Sequence, residues 1–196
     1  MSAAAIILTL TIVISVIGFL SRTVLEKAVL RPYLIARGKD YTTLLTSGFV
    51  HADFGHLLFN LITYYSFAFI MERVLGELRF EILYFSGMLA ANLGTCIKHR
   101  NEPGYTALGA SGAILAVLFA AIVYFPSQKI ALFFIPIGIP APLFAVVYLA
   151  YSWFASGRPG SRIGHDAHIF GALTGLVFVL VTAPERFRGL MTSIGL

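Results

Sequence analysis

The chain of 196 residues is 58% hydrophobic and 12% charged, about half the charged share of a soluble domain, and its mean hydropathy is +0.86. That balance excludes an ordinary soluble enzyme and points to an integral membrane protein, with one compact domain over residues 1–196. The net charge of +5 does not point to nucleic acid, because the basic residues are scattered over short connections between apolar runs, where they anchor spans at the interface.

Six runs approach the roughly 17–25 apolar residues that a lipid-crossing helix needs. They cover 3–20, 56–74, 80–97, 110–125, 140–155 and 167–181. The first lacks a basic leader and an A-x-A site, so it reads as a retained span. A long basic connection, "RPYLIARGKDYTTLLTSG", follows it. The second run opens with "HADFGHLLFN" (51–60), in which His56 and Asn60 stand i, i+4 and share one helix face. The third carries Cys96, the one cysteine, so no intrachain disulfide forms and the residue reads as packing.

The fourth run opens at Ser111 and is about 16 residues long, or ~24 Å, against a hydrocarbon core of ~30 Å. A helix that starts below the membrane surface, with a loop dipping in, resolves the mismatch. Irregular backbone at that depth needs protein or water around it, so Ser111 is expected to be submerged and wet. The segment "IPIGIPAPLF" (135–144) cannot continue as one straight helix, since each proline removes a donor; it reads as an interfacial lead-in to the fifth run. Gly157, Pro159 and Gly160 make the next connection loose and mobile, and His168 falls just inside the last run.

Taken singly, these polar residues are unremarkable. A serine in a helix satisfies itself against a carbonyl one turn back, and a lone His or Asn can be interhelical glue. Together they place a hydroxyl, an imidazole and a His/Asn donor pair near the starts of three different helices. A serine becomes a nucleophile when an adjacent base takes its proton, and unsatisfied N–H groups at a helix start favour a developing oxyanion. Asp166 stands about 200° around the helix from His168, so its carboxylate is expected to point away, as an N-cap or first-turn anion. The expected machinery is a Ser–His pair without a carboxylate.

"GASG" at 109–112, "AHIFGALTG" at 167–175 and "HADFGHLLFN" at 51–60, supported by Glu72 with Gly76, resemble the rhomboid intramembrane serine proteases over essentially the whole chain. The resemblance implies an all-α six-helix membrane bundle that hydrolyses peptide bonds in or near transmembrane segments of other membrane proteins. It requires no cofactor and no metal, and its surroundings are the lipid bilayer, in the inner (plasma) membrane of a cell. Ser111 would be the nucleophile, His168 the general base, and the Ser111 N–H with His56 and Asn60 the oxyanion site. His51 would be positional. Gly109 and Gly112 complete the G-x-S-G motif, and Gly171 and Gly175 would let the last helix approach Ala113, Ala116 and Ala120 of the fourth. His51, His165 and Asn101 would contribute to a polar funnel that admits water, with His165 more readily a solvated helix start.

Two departures stand out. Many members carry a tyrosine four residues after the nucleophile, stacked on the base histidine; here that position is Leu115. A Trp-Arg pair common in the first connection is replaced by Thr42 and Thr43, so that loop is expected to be anchored differently or more loosely.

Charge and resemblance disagree on orientation. Arg22, Lys27, Arg31, Arg37, Lys39, Lys98, Arg100, Arg158 and Arg162 lie on one side, and Arg73, Arg79, Lys129, Arg186 and Arg188 on the other, which by the positive-inside rule puts the amino terminus outside. The resemblance implies a cytoplasmic amino terminus. The rivals are a metal enzyme built on His51, Asp53, His56, His165 and His168, which lacks H-E-x-x-H; a catalytically inactive rhomboid-like binding or chaperone protein; and a transporter or channel, for which the sequence shows no inverted repeat or pair of broken helices.

Overall fold

The structure, a computed structural model, describes residues 2–132, 135–156, 164–193 and 195. Helix α1 (Ala3–Leu20) begins at Ser2, whose hydroxyl accepts the Ala5 amide. Between α1 and the second run the chain folds as three short helices, α2 (Arg22–Ala28), α3 (Pro32–Ile35) and α4 (Thr43–Thr46), and a 3-10 turn at Ser47–Phe49. Helix α5 (Phe54–Leu75) starts where Asp53 Oδ1 accepts the His56 amide at 2.8 Å, a side-chain cap that satisfies one orphan donor. It ends at Gly76, whose φ of +80° turns the chain directly into α6 (Glu77–His99); only glycine adopts that φ without steric cost. Then follow α7 (Ser111–Tyr124), strands β1 (Lys129–Leu132) and β2 (Ile135–Pro140), α8 (Ala141–Ser156), α9 (His165–Thr182) and α10 (Glu185–Ser193).

Each of the six apolar runs is thus a helix, with ends within three residues of those expected. Two features differ. The first part of the proline-bearing segment is β2, paired antiparallel with β1 so that Lys129 faces Pro140 and Ala131 faces Gly138, and the rest opens α8. In a two-stranded ribbon each strand is an edge, and an edge tolerates a residue with no N–H. A short helix, α10, follows the last run and packs on α7 and α9. The connection expected to be mobile, with Gly157, Pro159 and Gly160, lies outside the described residues.

Helix α7 is the hub. Every residue from Gly112 to Val123 is buried, as befits a helix that is apolar all round. It packs most extensively on α9 and α6, and also on α5, α8 and α10. Small residues make this possible. A Cβ on Gly171 would strike the Gly112 carbonyl, one on Gly175 the Ala116 carbonyl, and one on Gly87 of α6 the Ala116 methyl. The α9 approach is therefore to the backbone of Gly112 and Ala116, while Ala113 faces α6 at Gly87.

Among the described residues α1, α5, α6 and α9 are long and apolar enough to cross a membrane, and α7 and α8 are shorter apolar helices. Large apolar side chains stay exposed around the outside, including Leu10 and Ile17 of α1, Val146 and Phe154 of α8, and Val177 and Val181 of α9. Such a surface suits lipid, where helices satisfy all backbone groups internally. The molecule is an all-α, multi-pass membrane bundle, with one small hairpin among the described residues.

The first connection is firmly held where Thr42 and Thr43 replace the Trp-Arg pair. Thr43 is buried and its hydroxyl donates to the Asp40 carbonyl, Thr46 donates to the Ala28 carbonyl, and Asn92 of α6 donates to the Leu44 carbonyl and Ser47 Oγ. Leu30 exchanges two backbone hydrogen bonds with Ala107 in the loop before α7.

Candidate active site

Ser111 is the first residue of α7, and no side chain caps that helix start. Its hydroxyl thus lies beside unsatisfied N–H groups and the positive end of the helix dipole. The preceding loop is shaped by Gly109, whose φ is +111° and whose amide donates to the Ser47 carbonyl. The His56 ring lies against the Gly109 α-carbon, where a Cβ would sit 2.7 Å from His56 Cε1. Backbone strain and the imidazole both demand glycine there.

Behind this loop His51 is fully buried. Burial, with His56 alongside, pulls its imidazole down to about 3, so the ring is neutral. The Ala110 amide donates to Nε2 at 3.4 Å, which puts the ring proton on Nδ1, 2.8 Å from Ser15 Oγ. Ser15 in turn donates to the Phe49 carbonyl. This chain ties α1 to the residue before Ser111. His51 is therefore a buried brace and does not line a water funnel.

Asn60 is buried, and its Nδ2 donates to the His56 carbonyl one turn back, leaving a second N–H on the same nitrogen. Its side chain borders a cavity of about 10 Å³ shared with Thr11, Tyr84 and Ala110, about one water in size.

Across the loop, α9 brings His168 Nε2 to 2.8 Å from Ser111 Oγ. The other ring nitrogen, Nδ1, meets the Tyr148 hydroxyl of α8 at 2.9 Å. Asp166 is in the first turn of α9 and points away from His168, pairing with Lys98 at 2.6 Å and His99 at 3.1 Å. His165 is buried, edge-on to both His168 and Tyr151. It is therefore not a solvated helix start, because α8 covers it. Asn101 is exposed in the turn after α6.

Ser111, His168, His56, Gly109 and Gly112 thus converge at one end of α7, with Asn60 and His51 bordering Ala110 from behind and Gly171 setting the α7–α9 distance. An alcohol hydrogen-bonded to an imidazole at a helix start is chemically equipped for nucleophilic acyl transfer. Tyr148, Ser15 and the Lys98–His99 pair were not anticipated. Ser15 carried a signal, a polar residue inside the first run. Tyr148 carried none, being one of two tyrosines in "YLAYSWF".

The Rhomboid domain family model matches residues 38–185. The chain is 33% identical over 157 residues to "Putative rhomboid protease YdcA" of Bacillus subtilis, covering 78% of this chain and 73% of that protein. It is 31% identical over 160 residues to "Rhomboid protein 1, mitochondrial" of Saccharomyces cerevisiae and 30% over 162 to "RHOMBOID-like protein 12, mitochondrial" of Arabidopsis thaliana. These matches cover 76% and 74% of this chain but only 45% and 48% of the two mitochondrial proteins, so the chain spans about half their length. With the family model spanning most of the bundle and the motif residues gathered at the head of α7, the chain belongs to the rhomboid family.

Proposed function

We propose that this chain is a serine endopeptidase that hydrolyses peptide bonds in or near transmembrane segments of other membrane proteins. The observation that carries the reading is the 2.8 Å hydrogen bond between Ser111 Oγ and His168 Nε2 at the uncapped start of α7.

Ser111 Oγ attacks the scissile carbonyl carbon while its proton passes to His168 Nε2. The negative oxygen is met by the Ser111 backbone N–H with His56 and Asn60 as side-chain donors. Collapse breaks the C–N bond, and the imidazolium gives its proton to the leaving amine. Water then attacks the acyl ester with His168 again as base, and Ser111 regains its proton. A helical substrate must unwind before its carbonyl meets Ser111, which favours spans with small or helix-breaking residues.

Purified protein, a fluorophosphonate probe and a model transmembrane substrate test this. Labelling and cleavage are expected in the wild type and lost by at least about 10⁴-fold in Ser111→Ala and His168→Ala. Substrate binding without Ser111-dependent cleavage would instead establish an inactive binding or chaperone protein. The reading also puts the chain in the inner (plasma) membrane; recovery of tagged protein in mitochondria would overturn that.

A further inference from the structure

The two nitrogens of His168 face different helices: Nε2 meets Ser111 of α7, and Nδ1 meets Tyr148 of α8. The rings of Tyr148 and His168 lie 6.2 Å apart, tilted by 29°. A neutral imidazole carries one proton for two nitrogens. To receive the serine proton Nε2 must be bare, so the ring proton must sit on Nδ1 and needs an acceptor there. The nearby carboxylate of Asp166 is already engaged by Lys98 and His99. The atom that meets Nδ1 is the phenol oxygen.

The phenol is itself well held. Its ring stacks on Phe144 at 5.5 Å and leans on Phe119 at 6.1 Å. Leu115 belongs to the same apolar cluster, so the branched aliphatic side chain and the α8 ring share that space. One turn along α8, fully buried Ser152 lies beside the Tyr148 hydroxyl without reaching hydrogen-bond geometry to it or to any other described atom. A rotation of the two hydroxyls toward each other would let Ser152 take the phenol proton while the phenol oxygen accepts from Nδ1.

We propose that Tyr148 is the positioning residue of the reaction: from α8 it holds the His168 imidazole in plane and fixes its proton on Nδ1. The inference rests on the proteolytic reading above. A phenol suits this place better than a carboxylate, because an ion taken out of water must be offset by close pairing, whereas a neutral hydroxyl needs only a donor and an acceptor. The pair on α7 and α9 is then complete only with α8 seated.

Two measurements on the full chain test this. In steady-state cleavage of a transmembrane substrate, Tyr148→Phe keeps the ring and removes the oxygen; it is expected to lower kcat about 10- to 100-fold, with KM and Tm unchanged and fluorophosphonate labelling slowed in step. A kcat within about twofold of wild type, or full activity in Tyr148→Phe with loss only in Tyr148→Leu, overturns the proposal by reducing the residue to packing. In the second, ¹⁵N NMR of histidine-labelled wild type, assigned with His168→Gln, reads the tautomer without any variant at position 148. Protonated Nδ1 with bare Nε2 supports the proposal, and the opposite tautomer overturns it. Absence of Ser111-dependent labelling in the wild type would sink the proteolytic reading instead, a separate outcome from either of these.

Discussion

A serine beside an imidazole is a common sight on protein surfaces; what distinguishes Ser111 is the company of Gly109, Ala110 and His51. The left-handed Gly109, the Ala110 amide bound to His51, and the His51–Ser15–Phe49 relay fix the backbone that aims the hydroxyl at α9. Asp166, the acid nearest in sequence to His168, is spent on Lys98 and His99. Asp166→Asn is therefore expected to keep cleavage within about tenfold, or about 1.4 kcal/mol of barrier, and an assay showing loss of several orders of magnitude would contradict a two-residue mechanism. At this scale Ser111 and His168 were legible because a polar group within an apolar run is conspicuous. Tyr148 was not, because an aromatic residue in an apolar helix has no periodicity that tells a histidine partner from a lipid-facing ring.

Between elements, the decisive contact is backbone on backbone. Gly171 and Gly175 let α9 lie directly on the carbonyls of Gly112 and Ala116, and His168 reaches Ser111 only at that separation. Gly171→Ala inserts a methyl where the Gly112 carbonyl already stands, so α9 must lift. Overpacking of this kind costs about 1–3 kcal/mol, and on the proposed mechanism misplacing His168 costs about 100-fold in rate. Thermal unfolding and cleavage should therefore fall together. Gly189→Ala in α10, where a Cβ meets nothing, is the control expected to leave both unchanged. The small-xxx-small spacing announced the approach. It did not announce which faces of α7 would be used, because Gly87 and Ala91 of α6 compete for the same small side chains.

For the molecule as a whole, α1 is fastened by polar pairs in a setting where water does not compete. Glu72 Oε1 accepts the Ala4 amide at 2.9 Å and the Tyr64 hydroxyl donates to the Ala4 carbonyl at 2.9 Å. This accounts for Glu72 in the Glu72–Gly76 pair: its acceptor oxygen sits at a helix start, while Gly76 turns the chain into α6. Glu72→Ala leaves a buried amide unpaired and should lower stability by about 1–3 kcal/mol, read as a lower Tm in detergent; an unchanged Tm would show that α1 docks by apolar contact alone. The amino-acid sequence by itself determined the membrane setting, the order of the apolar helices and the polar residues near their starts, because hydropathy and small-residue spacing are properties of the chain. Only the tertiary structure decided that His51 is a buried brace, that the proline-rich segment begins as a strand, and that a tyrosine from α8 meets the histidine. Those outcomes depend on which helix faces meet, and in a bundle whose faces are nearly all apolar, periodicity does not single out a face.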